Sequence, residues 1–200
     1  MRKRPKGKPD AALYQVRKQA LALLEQQSRQ GSIDLFYGDE SQVAEEGYVP
    51  YGWQFAQEEV SIQVAKGGKV NLFGLISRSN QFFYQTCRGK MTAHFVVEHL
   101  DTFSLSIQKP TVVVLDNAKI HTARQVQERL AYWQARGLYL FYLPPYSPHL
   151  NICERVWKEL KARWLKPQDY LSVENLFYTV SLALAAIGKE LFINFSDFYL

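Results

Sequence analysis

Cysteine is scarce: Cys87 and Cys153 are the only two in 200 residues. Two thiols are too few for a disulfide framework, which excludes a small secreted fold held by bridges. Long apolar runs are missing, and none approaches the roughly 18 residues that a membrane helix needs. No apolar stretch follows Met1-Arg2-Lys3-Arg4-Pro5-Lys6, so a signal peptide is not expected. Internal repeats and low-complexity segments are absent as well. A cytoplasmic, reducing location without membrane attachment is the expectation. What is present is ordinary for a globular chain: 47% hydrophobic and 22% charged residues. Such a chain fits one domain with a short appendage, burying on the order of two-thirds of its unfolded surface.

Acidic residues are nearly missing from the start of the chain. Residues 1–30 hold eight Lys/Arg against Asp10 and Glu25, a net charge of +6, while the rest sum to −1. The basic character therefore belongs to a leading arm, residues 1–9, rich in Lys, Arg, Pro and Gly. A basic arm suits a polyanion such as nucleic acid, and equally a solvated tail.

Past the arm, Asp10 is placed to cap a helix from Ala11 to about Gln30, with Leu13, Val16, Ala20, Leu23 and Leu24 at helical spacing. Strand signals follow at Ile33–Gly38, Glu59–Ala65, Lys69–Ser77 and Gln81–Cys87, with turns at Gly67-Gly68 and Ser79-Asn80. They predict an antiparallel meander. The second half alternates helices and strands. Helices are expected over Thr92–Leu105, Thr122–Arg136, Asn151–Leu165 and Ser172–Lys189. Thr111–Leu115 and Leu138–Leu143 read as strands buried on both faces. A meander followed by strand–helix–strand–helix predicts an α/β fold: a mixed sheet, antiparallel meander plus parallel strands, flanked by helices.

Three carboxylates stand at strand and helix ends. Asp39 closes the first strand, Asp116 follows Val112–Leu115, and Glu154 opens a helix after Pro144-Pro145-Tyr146-Ser147-Pro148. Ligands of open α/β sheets bind at such ends. Converging carboxylates repel one another unless a cation compensates, and hard divalent ions prefer oxygen ligands. Alternative roles stay open. Asp116 is also placed as a turn or helix cap, and Asn151 with Glu154 three residues on is close to a capping box. Strand alternation sends Asp39 and Glu40 to opposite faces, so one of them at most is expected in the site. On the helix, Val156, Trp157, Leu160 and Trp164 form the buried stripe, while Glu154, Lys158 and Lys161 share another face.

Asp116-Asn117-Ala118-Lys119-Ile120-His121, and then Leu143-Pro144-Pro145-Tyr146-Ser147-Pro148-His149-Leu150-Asn151-Ile152-Cys153-Glu154, resemble the catalytic domain of DDE transposases. The branch they resemble is the mariner-like superfamily in its bacterial insertion-sequence form. Asp34-Leu35-Phe36-Tyr37-Gly38-Asp39-Glu40-Ser41 and Tyr51-Gly52-Trp53 look like the first part of the same domain. The resemblance covers about residues 30–190, and 37 residues separate Asp116 from Glu154, similar to the family's interval. It departs in two places: His149 stands where the family usually has Asp, and Ile152-Cys153 where it has Pro-Ile.

The resemblance implies a ribonuclease-H-like fold over residues 31–200, behind a basic arm and helical linker in residues 1–30. It implies that Asp39, Asp116 and Glu154 are catalytic and bind two Mg²⁺ ions, with Mn²⁺ as a substitute. It implies cleavage at transposon ends and transfer of the freed 3′-hydroxyl into target DNA, with no covalent protein–DNA intermediate. The partners expected are transposon-end DNA, target DNA and a second copy of the chain. The family's helix-turn-helix modules have no room here, so a separate recognition protein is a further expected partner. The location becomes the nucleoid.

Candidate DNA contacts are Arg2, Lys3, Arg4, Lys6 and Lys8 of the arm, with Lys119, His121, Lys158 and Lys161. His121 is as well placed to orient a carboxylate or to bond a backbone carbonyl. His94, His99 and His149 offer no zinc-like pair, and Cys153 reads as a small core residue. Trp53, with Tyr48 and Tyr51, is a candidate for base stacking or for covering the sheet edge. Phe192, Phe195, Phe198 and Tyr199 are expected to pack on the domain or on a second subunit. Two rival functions remain. One is a catalytically decayed remnant that binds DNA or dimerises and so regulates transposition. The other is a different nuclease on the same fold.

Overall fold

A computed structural model describes residues 10–46 and 67–195. The basic arm, the expected strand Glu59–Ala65, the segment with Tyr48, Tyr51 and Trp53, and the tail residues Phe198 and Tyr199 lie outside the described residues.

Asp10 caps α1 (Ala11–Arg29): its Oδ1 accepts from the N–H groups of Ala12 and Leu13. The face that packs differs from the expected stripe. Leu21 and Glu25 are buried and Tyr14 and Leu24 pack beside them, whereas Leu13, Val16 and Leu23 are exposed. The helix carries two apolar stripes, and contact with the sheet selected only one of them.

A short link through Gly31, at a φ of +78°, leads into β1 (Asp34–Ala44). β2 (Lys69–Ile76) and β3 (Phe82–Cys87) complete an antiparallel meander. Asn80, at a φ of +64°, turns the chain between them, as the Ser-Asn pair predicted. α2 (Ala93–Ser104) is capped by Thr92 and leads to β4 (Thr111–Leu115). α3 (Arg124–Ala135) and β5 (Leu138–Tyr142) follow.

Among the described residues the sheet has five strands in the order β3-β2-β1-β4-β5, with the pairs β1–β4 and β4–β5 parallel and β1–β2 and β2–β3 antiparallel. β4 lies inside the sheet and is buried along its whole length, as its β-branched run predicts. β5 corrects an expectation. Among the described residues it is the outer strand of the sheet, and Tyr139 is exposed. An edge strand has a neighbour on one side only, so its apolar run is half-covered.

Apolar side chains pack on both sheet faces. α1, α4 (Cys153–Glu159) and α5 (Val173–Ala186) cover one, with Trp157, Leu160, Leu176 and Val180. α2 and α3 cover the other, with Leu100, Phe103, Val126 and Trp133. Two polar ties lock the layers. Glu25 of α1 accepts from Tyr37 Oη of β1 and, at 2.7 Å, from Arg78 Nε. Asp101 of α2 accepts from Arg129 Nε at 2.9 Å and Trp133 Nε1 at 2.7 Å, both on α3. After α5, Asn80 pairs with the backbone of Ile193 through two hydrogen bonds, and Phe195 packs on the core while Phe192 is exposed.

His99 of α2 is buried against Phe73, with its ring edge-on at 5.3 Å. Burial pulls its pKa down to about 4, only partly offset by a hydrogen bond involving the Phe83 backbone. The unfolded histidine titrates near 6.5. Between these values the unfolded chain binds a proton that the native state does not. The contribution of His99 to stability is therefore complete above about pH 6.5 and falls as the pH drops toward 4, by about 3 kcal/mol in total. His99→Phe is expected to flatten that part of the stability profile in urea denaturation. An unchanged slope between pH 6 and about 4 would count against it.

Candidate active site

β1 and β4 run parallel from Asp34 opposite Thr111 to Tyr37 opposite Val114. The same register, continued two residues, sets Asp39 beside Asp116. Beyond Tyr37, β1 goes on paired with β2 alone. A cleft of about 570 Å³ opens there, lined by Asp39, Glu40, Asp116, Glu154, Trp157 and Lys161 among others. The structure thus brings the three sequence-predicted acids to one cleft.

Each acid is held differently. Asp39 is 8% exposed and accepts from Trp157 Nε1 at 3.0 Å through Oδ2. Its partner across β2 is Gly74, where a Cβ would lie 3.0 Å from Trp157 Cη2 and 2.7 Å from Phe82 Cε2. Glycine there leaves room for the indole to cross the strand and reach the carboxylate. Burial, followed by repulsion from Glu154, Glu40 and Asp116, pushes the Asp39 pKa up to about 8, with His121 opposing.

Asp116 uses Oδ1 to accept from Ala118 N–H at 2.9 Å and from His121 Nδ1 at 2.8 Å. Burial alone would raise its pKa. The hydrogen bonds from His121 and Ala118 outweigh that and hold it below the usual value. The turn bond and the His121 bond therefore share one carboxylate oxygen.

Glu154 sits in the first turn of α4, exposed to the cleft. Its pKa is raised by burial and by Asp116 and Glu40, with Lys161 opposing. The capping box does not form. Asn151 N–H instead donates to Pro148 O at 2.8 Å, and the Asn151 side chain accepts from Cys153 N–H at 3.0 Å. Its amide also donates to Gly38 O at 2.9 Å, which pins the start of α4 to β1 next to Asp39. The carboxylate of Glu154 is left to the cleft. Cys153 is fully buried, with Sγ 3.6 Å from Gly74 O, in the core role expected of it.

Two expectations need correction. Asp39 and Glu40 do point to opposite faces, toward Trp157 and toward His121, yet both line the cleft. The cleft lies at the end of the β1–β4 pairing and is open to both faces. His121 is the second correction. Its side chain has no exposed surface, and it lies between Asp116 and Glu40, with Nε2 3.1 Å from Glu40 Oε2. A ring so enclosed presents no surface to a DNA backbone in this structure and faces the two carboxylates instead. Burial acts to lower its pKa, but Asp116 and Glu40 override that and push it up to about 9.

Among the cationic candidates, Lys119 and Lys158 are exposed near the cleft acids in sequence. Lys161 lines the cleft itself. Burial lowers its pKa while Glu154 and Asp39 raise it. It sits in a π-helical turn, Leu160–Trp164, where Leu165 N–H bonds Leu160 O at 3.0 Å. The arm residues Arg2, Lys3, Arg4, Lys6 and Lys8 lie outside the described residues. His149 bonds Tyr14 Oη at 2.9 Å, and His94 is exposed beside Glu98.

The donor set suits a hard divalent cation. The oxygens come from carboxylates that repel one another, and the buried Glu40 Oε2 has no hydrogen-bond partner among the described residues. Ligand atoms of Glu40, Asp116 and His121 lie within 4.8 Å of one another. Sequence reasoning missed Glu40, Trp157 and Asn151 as parts of the site. Trp157 fitted the core stripe and Asn151 fitted a cap, so neither gave a separate signal.

A mixed sheet in this order, with acids gathered at the end of its parallel pair, is a ribonuclease-H-like fold. Residues 34–177 match the family described as DDE superfamily endonuclease, and the chain belongs to that superfamily. No curated protein matches it by sequence. Among solved structures, the Mos1 strand transfer complex is 16% identical, with 96% of this chain and 67% of that one covered and a TM-score of 0.51. The Mos1 transposase paired-end complex with left transposon end is 16% identical, with 94% and 66% covered and a TM-score of 0.54. The intasome of simian T-cell lymphotropic virus, in complex with PP2A regulatory subunit B56 gamma, is 14% identical, with 80% and 50% covered and a TM-score of 0.55. At these identities the likeness is one of fold. The chain spans about two-thirds of the Mos1 chains and half of the intasome chain.

Proposed function

We propose that this chain carries the catalytic domain of a transposase, cutting DNA strands at transposon ends and joining the freed 3′-hydroxyl to target DNA. The observation that carries the reading is the meeting of Asp39, Asp116 and Glu154 in one cleft of a chain in the DDE endonuclease superfamily. Asp39 and Asp116 would hold Mg²⁺, with Glu154 completing the shell of a second ion and Mn²⁺ as a substitute. Divalent cations held by these acids would supply a water of lowered pKa and charge to stabilise the departing 3′ oxygen. Trp157 and His121 fix the two aspartates before substrate arrives, so little reorganisation is needed at reaction. Asn151 fixes the start of the helix that bears Glu154. Lys119, Lys158 and Lys161 would contact phosphates around the cleft, and the basic arm would add contacts that do not read sequence. Residues 1–30 are then arm and linker, and residues 31–200 the catalytic domain. A dimer pairing two ends, a separate helix-turn-helix recognition chain and a nucleoid location belong to the same reading. The test is cleavage of plain duplex, branched duplex and RNA–DNA hybrid with Mg²⁺. Nicking of the duplexes, and joining of a supplied 3′-end to a plasmid, are expected. Cleavage of the hybrid alone would overturn the reading.

A further inference from the structure

His121 is a fully enclosed imidazole with a carboxylate on each side. Nδ1 is 2.8 Å from Asp116 Oδ1, while Nε2, 3.1 Å from Glu40 Oε2, is not aligned for a hydrogen bond. Both Nε2 and Glu40 Oε2 are buried atoms without a hydrogen-bond partner among the described residues. The ring is fixed from outside as well. Tyr142 Oη donates to the His121 carbonyl at 2.9 Å, and the Phe73 ring lies 5.7 Å away. His121 N–H and Thr122 N–H both bond Ala118 O, so the turn after Asp116 is closed on itself.

We infer that His121 is a positioning residue of the metal centre: it clamps Oδ1 of Asp116 and so leaves Oδ2 for the cation, with the Glu40 carboxylate facing the other side of the ring 3.1 Å from Nε2. This rests on the metal-dependent reading above. A carboxylate on a strand end has free rotation about χ2, and without a clamp it presents either oxygen or neither. Ala118 N–H and His121 Nδ1–H both hold the same oxygen, which selects one orientation. Outer partners of this kind typically change metal affinity about 10- to 100-fold when removed. The His121 side chain has no exposed surface, so it acts through Asp116.

The two ring nitrogens can be separated by substitution. Asparagine carries an amide nitrogen near the position of Nδ1, and glutamine carries one near Nε2. Mn²⁺ binding to the full chain, read by electron paramagnetic resonance without DNA, is the measurement. His121→Gln is expected to weaken Mn²⁺ binding about tenfold or more, and His121→Asn by no more than about threefold. Equal loss in both variants would mean a packing role, and no loss in either would mean no role; each overturns the inference. Wild-type protein that binds no Mn²⁺ would instead overturn the metal-dependent reading itself. Long-range ¹H–¹⁵N NMR of the wild type covers the case in which the variants do not fold. A protonated Nδ1 in slow exchange is expected, and an unprotonated Nδ1 overturns the clamp.

Discussion

Asp39→Asn is expected to lower Mg²⁺-dependent strand cleavage by about three orders of magnitude or more. The same change should raise the melting temperature of the metal-free protein. Asp39 is 8% exposed and faces Glu40, Asp116 and Glu154, so its charged form is held at a cost that only a cation or a proton relieves. Asparagine keeps an acceptor for Trp157 Nε1 and removes the charge. The sign follows from the raised pKa. A carboxyl at about 8 in the native state and 3.8 unfolded binds more protons when folded, so metal-free stability falls as pH rises between those values. Above about pH 8 the variant should therefore exceed the wild type. Added Mg²⁺ should raise the melting temperature of the wild type only, because a ligand stabilises the state that binds it. Cleavage and a Mg²⁺-dependent thermal shift that both survive in Asp39→Asn would remove Asp39 from the metal centre.

Glu25→Ala is expected to have the largest effect on stability, about 3–5 kcal/mol. Glu25 is 2% exposed at its side chain and Arg78 22%, so a buried carboxylate meets a partly buried guanidinium. The change leaves the guanidinium of Arg78 and the hydroxyl of Tyr37 without the carboxylate that joins α1 to the sheet. In a domain of this size each kcal/mol moves the melting temperature by about 2–4 °C, so a fall of roughly 6–20 °C is predicted. Glu128→Ala is the control. Its partner Arg124 is 90% exposed at the side chain, and a loss of no more than about 0.5 kcal/mol is expected. Differential scanning calorimetry of both variants decides the matter. Equal, small losses would mean that α1 is not held by Glu25.

Much of the architecture could be read from the residues. Helical pattern placed α1, α2 and α5 within a few residues of their observed ends, with Asp10 recognised as the cap of α1; the structure adds Thr92 and Ser172 as caps of the other two. The β-branched run Thr111–Leu115 predicted an inner strand and is one. The apolar run at Leu138–Tyr142 looked the same, yet it lies at the sheet edge, because composition reports burial on average and not the number of neighbours. In α1 two stripes shared the helical period, and nothing local distinguished the one that packs.

The three acids of the cleft were legible for a related reason. Asp39, Asp116 and Glu154 carry local motifs, and each stands where its own strand or helix reaches the cleft. The sequence by itself therefore determined the elements, the sheet class and these three acids, since each depends on neighbours within a few residues. Only the tertiary structure decided what surrounds the acids. Trp157 meets Asp39 across 118 positions of sequence, Asn151 meets Gly38 across 113, and Glu40 meets His121 from a different strand. Such contacts arise from sheet order and helix packing. No local period or spacing encodes them, and they set which oxygen of each carboxylate is free and how far its pKa moves.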